Sequence, residues 1–303
     1  MKYRIGVDIG GTSVKLGIVD KDYNVIEKLR FPTGENCTAE DIINGIIENC
    51  RKLTEKYEVE AIGIGSAGRV DSEKGMVLRA GNLPFWNEPV AVKVKTALNL
   101  PTFIDNDGSC ALIGEKTAGV CKDCKDALII TIGTGIGGAI LINDKIVRGY
   151  NNRAGELGHF VIDRHGIQCE CGLHGCFERY ASATALIEMT EKAVKENPES
   201  ILANIAKNGI NGKTAFDAKE QGCAIATALL EEYGRILADG INSLVHIFQP
   251  EAIAISGGVA NQGEGLMSLV RPHLFTECRV ETTTLKGDGG IIGAALLGTP
   301  HSA

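Results

Sequence analysis

The sequence predicts a two-domain α/β protein, and three observations support this fold class. The chain has 303 residues, of which 44% are hydrophobic, and this is enough for two cores. Strand-like runs alternate with helix-like segments along the chain. A strand–turn–strand unit, VDIGGTSVKLGIVD at 7–20, recurs as TIGTGIGGAILIND at 131–144, about 125 residues further on. This internal repeat predicts one copy of the unit in each domain.

The predicted elements follow from hydrophobic periodicity and from turn residues. Apolar and β-branched runs predict strands at 3–8, 13–20, 24–31, 61–65, 102–105, 128–132, 139–142 and 252–255. Helix-like periodicity predicts helices at 38–56, 108–118 and 222–246, and the chain after Ser182 is mostly helical. Thr38 can cap the first of these helices. We expect an N-terminal domain at 1–118, joined by a C-terminal helix at 289–303, and a second domain at 119–288 with the crossing near 119–125.

The composition argues against several classes of function. The formal net charge is −7, whereas proteins that bind nucleic acid usually present a clustered basic face, so no nucleic-acid partner is expected. No apolar run has the length of a membrane-spanning helix, and the N-terminus has no signal-peptide pattern. We therefore expect a cytoplasmic protein that handles small molecules, with its ten cysteines mostly reduced.

The glycines of the second repeat raise the question of a dinucleotide site. Gly133, Gly135 and Gly138 match G-x-G-x-x-G, which is typical of dehydrogenases when a helix follows directly. Here the next residues are AILIND, a strand and a turn, so the helix N-terminus that would hold a pyrophosphate is missing. Neither glycine turn matches the P-loop pattern G-x-x-x-x-G-K-[ST]. Both nucleotide motifs are therefore rejected.

Two hairpins with bare backbone at their tips suit polyphosphate instead. Without a Cβ atom, glycine lets phosphate oxygens approach the backbone N–H groups. Thr12 and Thr134 add hydroxyl groups and Lys15 adds a positive charge. The alternative is a pair of tight turns without a ligand, and the recurrence of the pattern favours phosphate. The glycines concerned are Gly10, Gly11, Gly133 and Gly135, with a further pair at Gly257 and Gly258.

These segments resemble the actin, Hsp70 and hexokinase superfamily. DIGGTSVK at 8–15 resembles its first phosphate segment, TIGTG at 131–135 the second, and SGG at 256–258 the adenosine segment. The resemblance implies two domains of the ribonuclease H type that bind ATP. It also implies that Asp8 helps to organise Mg²⁺ through water.

Three of the ten cysteines lie within eight residues, which predicts a metal site. Cys169, Cys171 and Cys176 with one histidine would complete a tetrahedral shell for Zn²⁺. A shell without an open position predicts a structural ion. The sequence leaves the histidine open among His159, His165 and His174, although His174 lies in a tight turn that should point it outward. The alternative is three reduced cysteines without a metal.

The same region resembles one family closely. GELGH at 155–159 followed by CECGLHGCFE at 169–178 is similar to the signature of the ROK family of sugar kinases and repressors. This resemblance covers essentially the whole chain and implies zinc ligands at His159, Cys169, Cys171 and Cys176. The repressors of the family carry an N-terminal helix-turn-helix domain, whereas this chain starts at the first hairpin, which favours a kinase.

The chemistry is expected at the end of a buried strand, in FIDND at 103–107. Asp107 is the candidate general base, and Asn106 is expected to hydrogen-bond the sugar. The alternative for Asp107 is a helix cap. The ROK resemblance favours catalysis, because N-D occupies this place in the family. It also implies that Glu156, His159 and Glu178 line the sugar pocket.

The loop GSAGRVD at 65–71 resembles a further sugar-side loop of the family, which makes Gly68 a candidate substrate residue. Ala67 replaces the proline that is common there. A second cysteine pair, Cys121 and Cys124, has the C-x-x-C spacing, and we predict a solvated loop without a redox role.

The expected function is ATP-dependent phosphorylation of a hexose, with glucose 6-phosphate as the leading product. ERYAS at 178–182 resembles the glucose-specific members of the family. The alternatives are kinases for N-acetylmannosamine, N-acetylglucosamine or fructose, and a sugar-binding regulator without catalysis. The sequence does not decide between ATP and polyphosphate as donor. A homo-oligomer, dimer or tetramer, is expected from the family.

Overall fold

The structure is a computed structural model that describes residues 2–34 and 37–299. Its strands are β1 (Tyr3–Ile9), β2 (Ser13–Val19), β3 (Val25–Pro32), β4 (Val59–Ser66), β5 (Arg69–Asp71), β6 (Met76–Arg79), β7 (Trp86–Glu88), β8 (Thr102–Asn106), β9 (Ala127–Ile132), β10 (Ile136–Ile142), β11 (Lys145–Ile146), β12 (Ala252–Gly257) and β13 (Arg279–Thr282).

The α-helices are α1 (Ala39–Thr54), α2 (Val90–Leu98), α3 (Asp107–Ala118), α4 (Glu178–Ala181), α5 (Ala183–Glu196), α6 (Ile201–Ala206), α7 (Thr214–Glu220), α8 (Ala224–Phe248), α9 (Glu264–Val270) and α10 (Gly289–Ala295). Short 3₁₀ turns lie at Val259–Gln262, Arg271–His273 and Lys286–Asp288. Within residues 2–34 and 37–299, none of these helices combines the length and the apolar character needed to cross a membrane.

Two five-stranded sheets share one strand order. The first runs β3-β2-β1-β4-β8 and the second runs β11-β10-β9-β12-β13. In each sheet the order is third, second, first, fourth and fifth along the chain. Within the first sheet the β1–β2 and β2–β3 pairs are antiparallel, and the β1–β4 and β4–β8 pairs are parallel. The shared order confirms that the internal repeat of the sequence is a repeat of structure.

The chain separates into two compact units. The first unit comprises 1–129, 139–155 and 284–303, and the second comprises 130–138 and 156–283. This division differs from the predicted domains, because 119–129 and 139–155 fall in the first unit. Compact units need not coincide with independently folding domains, so the division at 118/119 stays a prediction.

Helix α10 belongs to the first unit and packs closely on its sheet. A Cβ atom at Gly6 would lie 1.8 Å from the Ile291 carbonyl oxygen, and one at Gly63 would lie 1.7 Å from that of Ala294. Only glycine in β1 and β4 therefore allows the helix backbone to come so near the strands. The C-terminal helix was predicted at 289–303; α10 ends at Ala295, and residues 300–303 lie outside the described part of the chain.

The long periodic segments and several short strands were predicted, and other short elements were missed. Helix α1 begins after Thr38, whose side chain forms a capping box with Asp41. The strand predicted at 139–142, which argued against a dinucleotide site, is confirmed as part of β10. The three-stranded sheet β5-β6-β7 was not predicted, since strands of three or four residues give too short a pattern to recognise. Helix α2 was also not predicted, since it has nine residues and no side chain that caps its start.

One sequence prediction is wrong at the Cys121–Cys124 pair. We expected a solvated loop, but both side chains are buried, with Cys121 0% and Cys124 2% exposed. The Cys121 N–H donates to the Glu115 carbonyl and the Cys124 N–H donates to that of Cys121, so the segment turns back under the end of α3. The charged neighbours in the sequence suggested exposure, whereas the turn buries the two thiols.

Candidate functional site

The first hairpin joins β1 to β2 in the first unit. Its tip is closed by the Gly10 N–H, which donates to the Ser13 carbonyl at 3.1 Å. The Thr33 hydroxyl donates to the Gly10 carbonyl at 3.1 Å and fixes the turn from the β3 side. Asp8 and Lys15 are paired positions on the two strands, and the lysine Nζ lies 3.9 Å from the carboxylate. The hairpin therefore offers bare backbone at its tip and one charge of each sign beside it.

Asp8 is half-buried, and its loss of solvent contact raises its pKa to about 6. Lys15 opposes this rise, and the negative charge of Asp107 adds to it. Helix α10 covers the carboxylate, since a Cβ atom at Gly290 would lie 3.3 Å from the Asp8 carboxyl carbon. A carboxylate held in this way gains from a divalent cation, because the cation replaces the lost solvation.

Asp107 is the first residue of α3, and Asn106 is the cap of that helix. The Asn106 Oδ1 accepts from the N–H groups of Gly108 at 2.9 Å and Ser109 at 3.2 Å. The alternative reading of Asp107 as the helix cap is therefore wrong. Asp107 Oδ1 accepts from Asn106 Nδ2 at 3.0 Å and from the Gly108 N–H at 2.9 Å. These bonds fix the orientation of the Asp107 carboxylate.

The amide of Asn106 is fully used within the first unit. Its Nδ2 donates both to Asp107 and to the Gly68 carbonyl, the latter at 3.0 Å. Gly68 has a φ of +97°, and a Cβ atom there would lie 2.4 Å from the Arg79 carbonyl oxygen, so the position requires glycine. Gly68 thus helps to place Asn106, a role that the sequence did not indicate. The predicted sugar contacts of both residues stay predictions.

Two further neighbours of this site were missed at the sequence level. A Cβ atom at Gly11 would lie 3.3 Å from the Asn82 Cβ, so the 81–83 segment lies beside the first hairpin. Asp105, directly before Asn106, is paired with Arg148. Neither contact has a local signal, because each joins residues that are more than 40 positions apart.

The second hairpin joins β9 to β10, and its tip lies in the second unit. The Gly133 N–H donates to the Gly135 carbonyl at 3.0 Å, and the Gly133 carbonyl accepts from the Ala183 N–H at 2.9 Å at the start of α5. The hydroxyls of Thr131 and Ser256 lie 2.9 Å apart, which joins the ends of β9 and β12. The predicted second phosphate segment and the segment at 256–258 are therefore neighbours.

Four predicted metal ligands come together in the second unit. One ligand atom each from His159, Cys169, Cys171 and Cys176 lies within 4.8 Å of the other three. The imidazole Nδ1 is 3.6 Å from the Cys169 sulfur, and the sulfurs of Cys171 and Cys176 are 3.5 Å apart. A tetrahedral zinc site with Zn–S bonds of about 2.3 Å spaces its sulfurs about 3.8 Å apart, so the donor set fits Zn²⁺.

The other two candidate histidines lie outside this cluster. His174 is exposed, as expected, and its Nδ1 lies 3.2 Å from the Gly166 carbonyl oxygen. His165 is also exposed and forms a hydrogen bond with Arg164 through its Nε2. The sequence left the histidine open, and the geometry favours His159, which is the residue that the family resemblance implied.

Glu178 connects the cysteine cluster to the second hairpin. Its Oε1 accepts from the Cys169 thiol at 3.1 Å and lies 3.4 Å from the His159 Nδ1. Its Oε2 accepts from the Ile136 N–H at 3.3 Å. Glu156 is exposed and lies 4.0 Å from the other ring nitrogen of His159. The three predicted sugar residues Glu156, His159 and Glu178 are therefore adjacent, with the histidine in the middle.

Comparison with known proteins agrees with this geometry. The chain is 34% identical to a glucokinase of Streptomyces coelicolor over 276 residues, which is 89% of this chain and 86% of that protein. It is 32% identical to a glucokinase of Thermotoga maritima over 302 residues, or 96% of this chain and 95% of that protein.

Among solved structures, a ROK family glucokinase from Streptomyces griseus in complex with glucose and AMPPNP matches with a TM-score of 0.84. It shares 34% identity, and the match covers 97% of this chain and 98% of that one. The fold is thus that of the ROK kinases, of the actin and hexokinase type, as the sequence predicted. The model of the ROK family matches residues 4–300. The two hairpins, the Asn106–Asp107 pair and the Cys₃His cluster therefore lie in a chain that belongs to the ROK family.

Proposed function

We propose that this protein is a glucokinase that transfers the γ-phosphoryl group of ATP to the 6-hydroxyl of glucose. The kinase class rests on the ROK glucokinase relatives, and the choice of glucose is ours. The observation that carries the proposal is the fixed carboxylate of Asp107 in the unit that holds Asp8 and Lys15. General-base catalysis requires a carboxylate with a fixed orientation, and the two hydrogen bonds to Asp107 Oδ1 provide it.

In the proposed reaction the sugar O6 attacks the γ-phosphorus and the bond to the leaving oxygen of ADP breaks. The proton of the 6-hydroxyl passes to Asp107. Lys15 offsets negative charge on the phosphates, and Asp8 would hold Mg²⁺ through its water ligands. When bound, Mg²⁺ neutralises charge on the phosphate oxygens. The raised pKa of Asp8 fits this role, because a partly desolvated carboxylate is stabilised in its charged form by a nearby cation.

Phosphate contacts are assigned to each hairpin by itself, and adenosine contacts to 256–258. In the first hairpin Gly11 and Thr12 are the candidate donors, and Gly10, whose N–H closes the turn, supplies backbone without a Cβ atom. In the second hairpin Thr134 and Gly135 are the candidate donors, and Gly133 has the role of Gly10. Gly257 and Gly258 are assigned to the adenosine. The hydrogen bond between Thr131 and Ser256 supports this assignment, since it holds the second hairpin next to the adenosine segment.

The sugar is assigned to Glu156, His159 and Glu178, with Asn106 and Gly68 as further candidates. Carboxylates accept hydrogen bonds from vicinal hydroxyls. The Nδ1 of His159 faces the cysteines, so its Nε2, which faces Glu156, can contact a sugar hydroxyl. His159, Cys169, Cys171 and Cys176 would hold a structural Zn²⁺, which fixes the loop that presents these groups.

Two other functions are kept as alternatives. Kinases for N-acetylmannosamine, N-acetylglucosamine or fructose would share Asp107 and differ in their contacts at C2. A sugar-binding regulator would bind the sugar without turnover, and the ROK family includes repressors as well as kinases. The ordered Asn106–Asp107 pair favours catalysis, because binding alone does not need an oriented base.

The decisive experiment is a matrix of sugars against phosphoryl donors. Purified protein is assayed with glucose, fructose, mannose, N-acetylglucosamine and N-acetylmannosamine, each with ATP or polyphosphate and Mg²⁺. We expect the highest kcat/KM for glucose with ATP. A higher kcat/KM for another sugar would support a sugar kinase and reject glucose as its preferred substrate. Sugar binding by calorimetry without turnover of any pair would support the regulator.

Asp107→Asn tests the catalytic role directly. We expect kcat to fall by roughly 10³-fold, while the dissociation constant of glucose changes by less than about threefold, because the substitution removes the base and keeps the shape. Asp22→Asn, at an exposed aspartate in the turn after β2, is the matched control and should leave both values unchanged. Turnover by Asp107→Asn at the wild-type rate would reject Asp107 as the base.

A further inference from the structure

Arg148 forms an ion pair with Asp105, which directly precedes Asn106 and Asp107. Its Nε and Nη2 donate to the same oxygen of Asp105, at 3.0 and 2.6 Å. Asp105 is only 3% exposed, so the guanidinium balances a carboxylate that has little contact with water. Both residues lie in the first unit, Asp105 on β8 and Arg148 in the loop after β11.

The second oxygen of Asp105 connects this pair to the proposed base. Asp105 Oδ1 accepts from the backbone N–H of Asn106 at 2.8 Å. The Asn106 side chain in turn donates to Asp107 Oδ1 and caps α3. A continuous path of hydrogen bonds therefore runs from Arg148 through Asp105 and Asn106 to Asp107. Each partner holds the next in one orientation.

The loop that carries Arg148 is itself held in place. The Ala154 N–H donates to the Arg148 carbonyl at 3.1 Å and closes the loop at 148–154. The Arg69 Nε donates to the Asn151 carbonyl at 2.8 Å and anchors the loop to β5. Because its backbone is fixed at both points, Arg148 presents the guanidinium to Asp105 with little freedom.

We propose that Arg148 is a positioning residue for catalysis, which acts through Asp105 and Asn106 on the orientation of Asp107. The inference rests on the proposed kinase function, since it concerns the base of that reaction. Arg148 does not touch the reacting atoms. Its effect is to keep the end of β8 and the start of α3 in the geometry that the base requires, and arginine suits this because it donates two hydrogen bonds in a rigid fork.

The test compares four variants with wild type by steady-state kinetics and thermal unfolding. We expect Arg148→Ala to lower kcat about 100-fold, with the KM values for sugar and ATP nearly unchanged, because a misplaced base slows the chemical step. Arg148→Lys keeps the charge and loses the fork, so its kcat should stay well below wild type. Arg153→Ala, at an exposed arginine of the same loop, is the matched control and should behave as wild type.

The double variant Asp105→Asn with Arg148→Ala separates positioning from simple charge balance. Arg148→Ala alone leaves a buried carboxylate unpaired and should lower the melting temperature. The double variant removes that charge, so the melting temperature should recover while kcat stays low. Recovery of kcat to within about threefold of wild type would overturn the proposal, because Arg148 would then only neutralise Asp105.

Hydrogen exchange provides a readout that does not depend on turnover. In Arg148→Ala the amides of Asn106, Gly108 and Ser109 should exchange faster than in wild type, whereas in Arg153→Ala they should not. Wild-type protein without activity on any sugar would reject the proposed function. Unchanged exchange at these amides in Arg148→Ala would reject the positioning role, whether or not the wild type is active.

Discussion

The two hairpins are built from the same pattern and have different surroundings. When their glycines are aligned, Asp8 of the first corresponds to Thr131 of the second, and Lys15 corresponds to Gly138. The first hairpin therefore has its charges on its own strands, whereas the second has none at these positions. Its nearby charge comes from Glu178, which follows the cysteine cluster in sequence and binds the Ile136 N–H.

This difference shows how a repeated unit can take separate roles. The shared part is the bare tip, which suits phosphate in either copy. The first copy adds Asp8 and Lys15, which are suited to a metal ion and to phosphate charge. The second copy depends on a loop outside the repeat, so its geometry depends on whether that loop is ordered.

The largest expected effect separates the two hairpins at their aligned positions. Asp8→Asn should lower kcat about 10³-fold, because the carboxylate that we propose to organise Mg²⁺ is lost. Thr131→Val, the matched change in the second hairpin, should cost less than about tenfold, since it removes only the hydrogen bond to Ser256. Steady-state kinetics at saturating Mg²⁺ measures both, and similar losses would contradict the division of roles.

Thermal unfolding shows whether Asp8→Asn is folded. The folded-state pKa of Asp8, about 6, lies above its ordinary value of 3.8, so the ionised carboxylate costs folding free energy at neutral pH. The variant should therefore melt at a higher temperature than wild type at neutral pH. Lower stability would mean that the loss of activity reports misfolding.

The next effect concerns the support of the second hairpin. Removal of Zn²⁺ with a strong chelator should lower the melting temperature and weaken sugar binding by roughly 30- to 100-fold, because His159 and Glu178 lose their fixed positions. Metal content, melting temperature and glucose affinity are measured on one preparation. Added Zn²⁺ should restore all three values. Full sugar affinity in protein that contains no metal would contradict the role of the cluster.

A pair of glycine substitutions tests the link from Glu178 to the hairpin. A Cβ atom at Gly135 would lie 2.4 Å from the Glu178 Oε2, whereas one at Gly133 would meet no heavy atom within 4 Å. Gly135→Ala should therefore displace the carboxylate and raise the KM for sugar roughly 10- to 30-fold. Gly133→Ala should raise mainly the KM for ATP, because its methyl group occupies the phosphate side. Equal effects on both constants in both variants would reject the link.

The smallest expected effect is the pH dependence of the Mg²⁺ requirement. With a pKa of about 6, Asp8 is ionised at neutral pH and protonated in mild acid, so Mg²⁺ affinity should fall as the pH decreases through this value. Between about pH 7 and pH 5 the apparent affinity should fall about tenfold from this group alone. In Asp8→Asn, the Mg²⁺ affinity should keep only the pH dependence that comes from titration of ATP. If the variant shows the same pH dependence as wild type, Asp8 is not the group responsible.

Local patterns predicted much of the fold and of the site. The hairpins and the ligands at 169–176 lie in short runs, so their types and spacing carry the signal. Helix α8 was predicted because a long periodic segment has enough repeats to recognise. The strand that follows the second glycine turn was predicted from its residues, and it argued against a dinucleotide site.

The rest depended on contacts between distant parts of the chain. The pairing of Arg148 with Asp105 and the place of Asn82 beside Gly11 have no periodicity and no local motif. The burial of Cys121 and Cys124 was missed because charged neighbours dominate the local pattern. Asn106 was expected to contact the sugar, and its role as helix cap became visible only when α3 and β8 were seen to meet at this residue.

The seat of α10 on β1 and β4 has a consequence for folding. Glycines at 6 and 63 accommodate a helix at 289–295, which lies far from them along the chain. In a nascent chain that face of the sheet lacks this helix until residues 289–295 have been made, and uncovered sheet surface is prone to aggregation. The first unit is thus completed by a segment that is distant in sequence from the strands it covers.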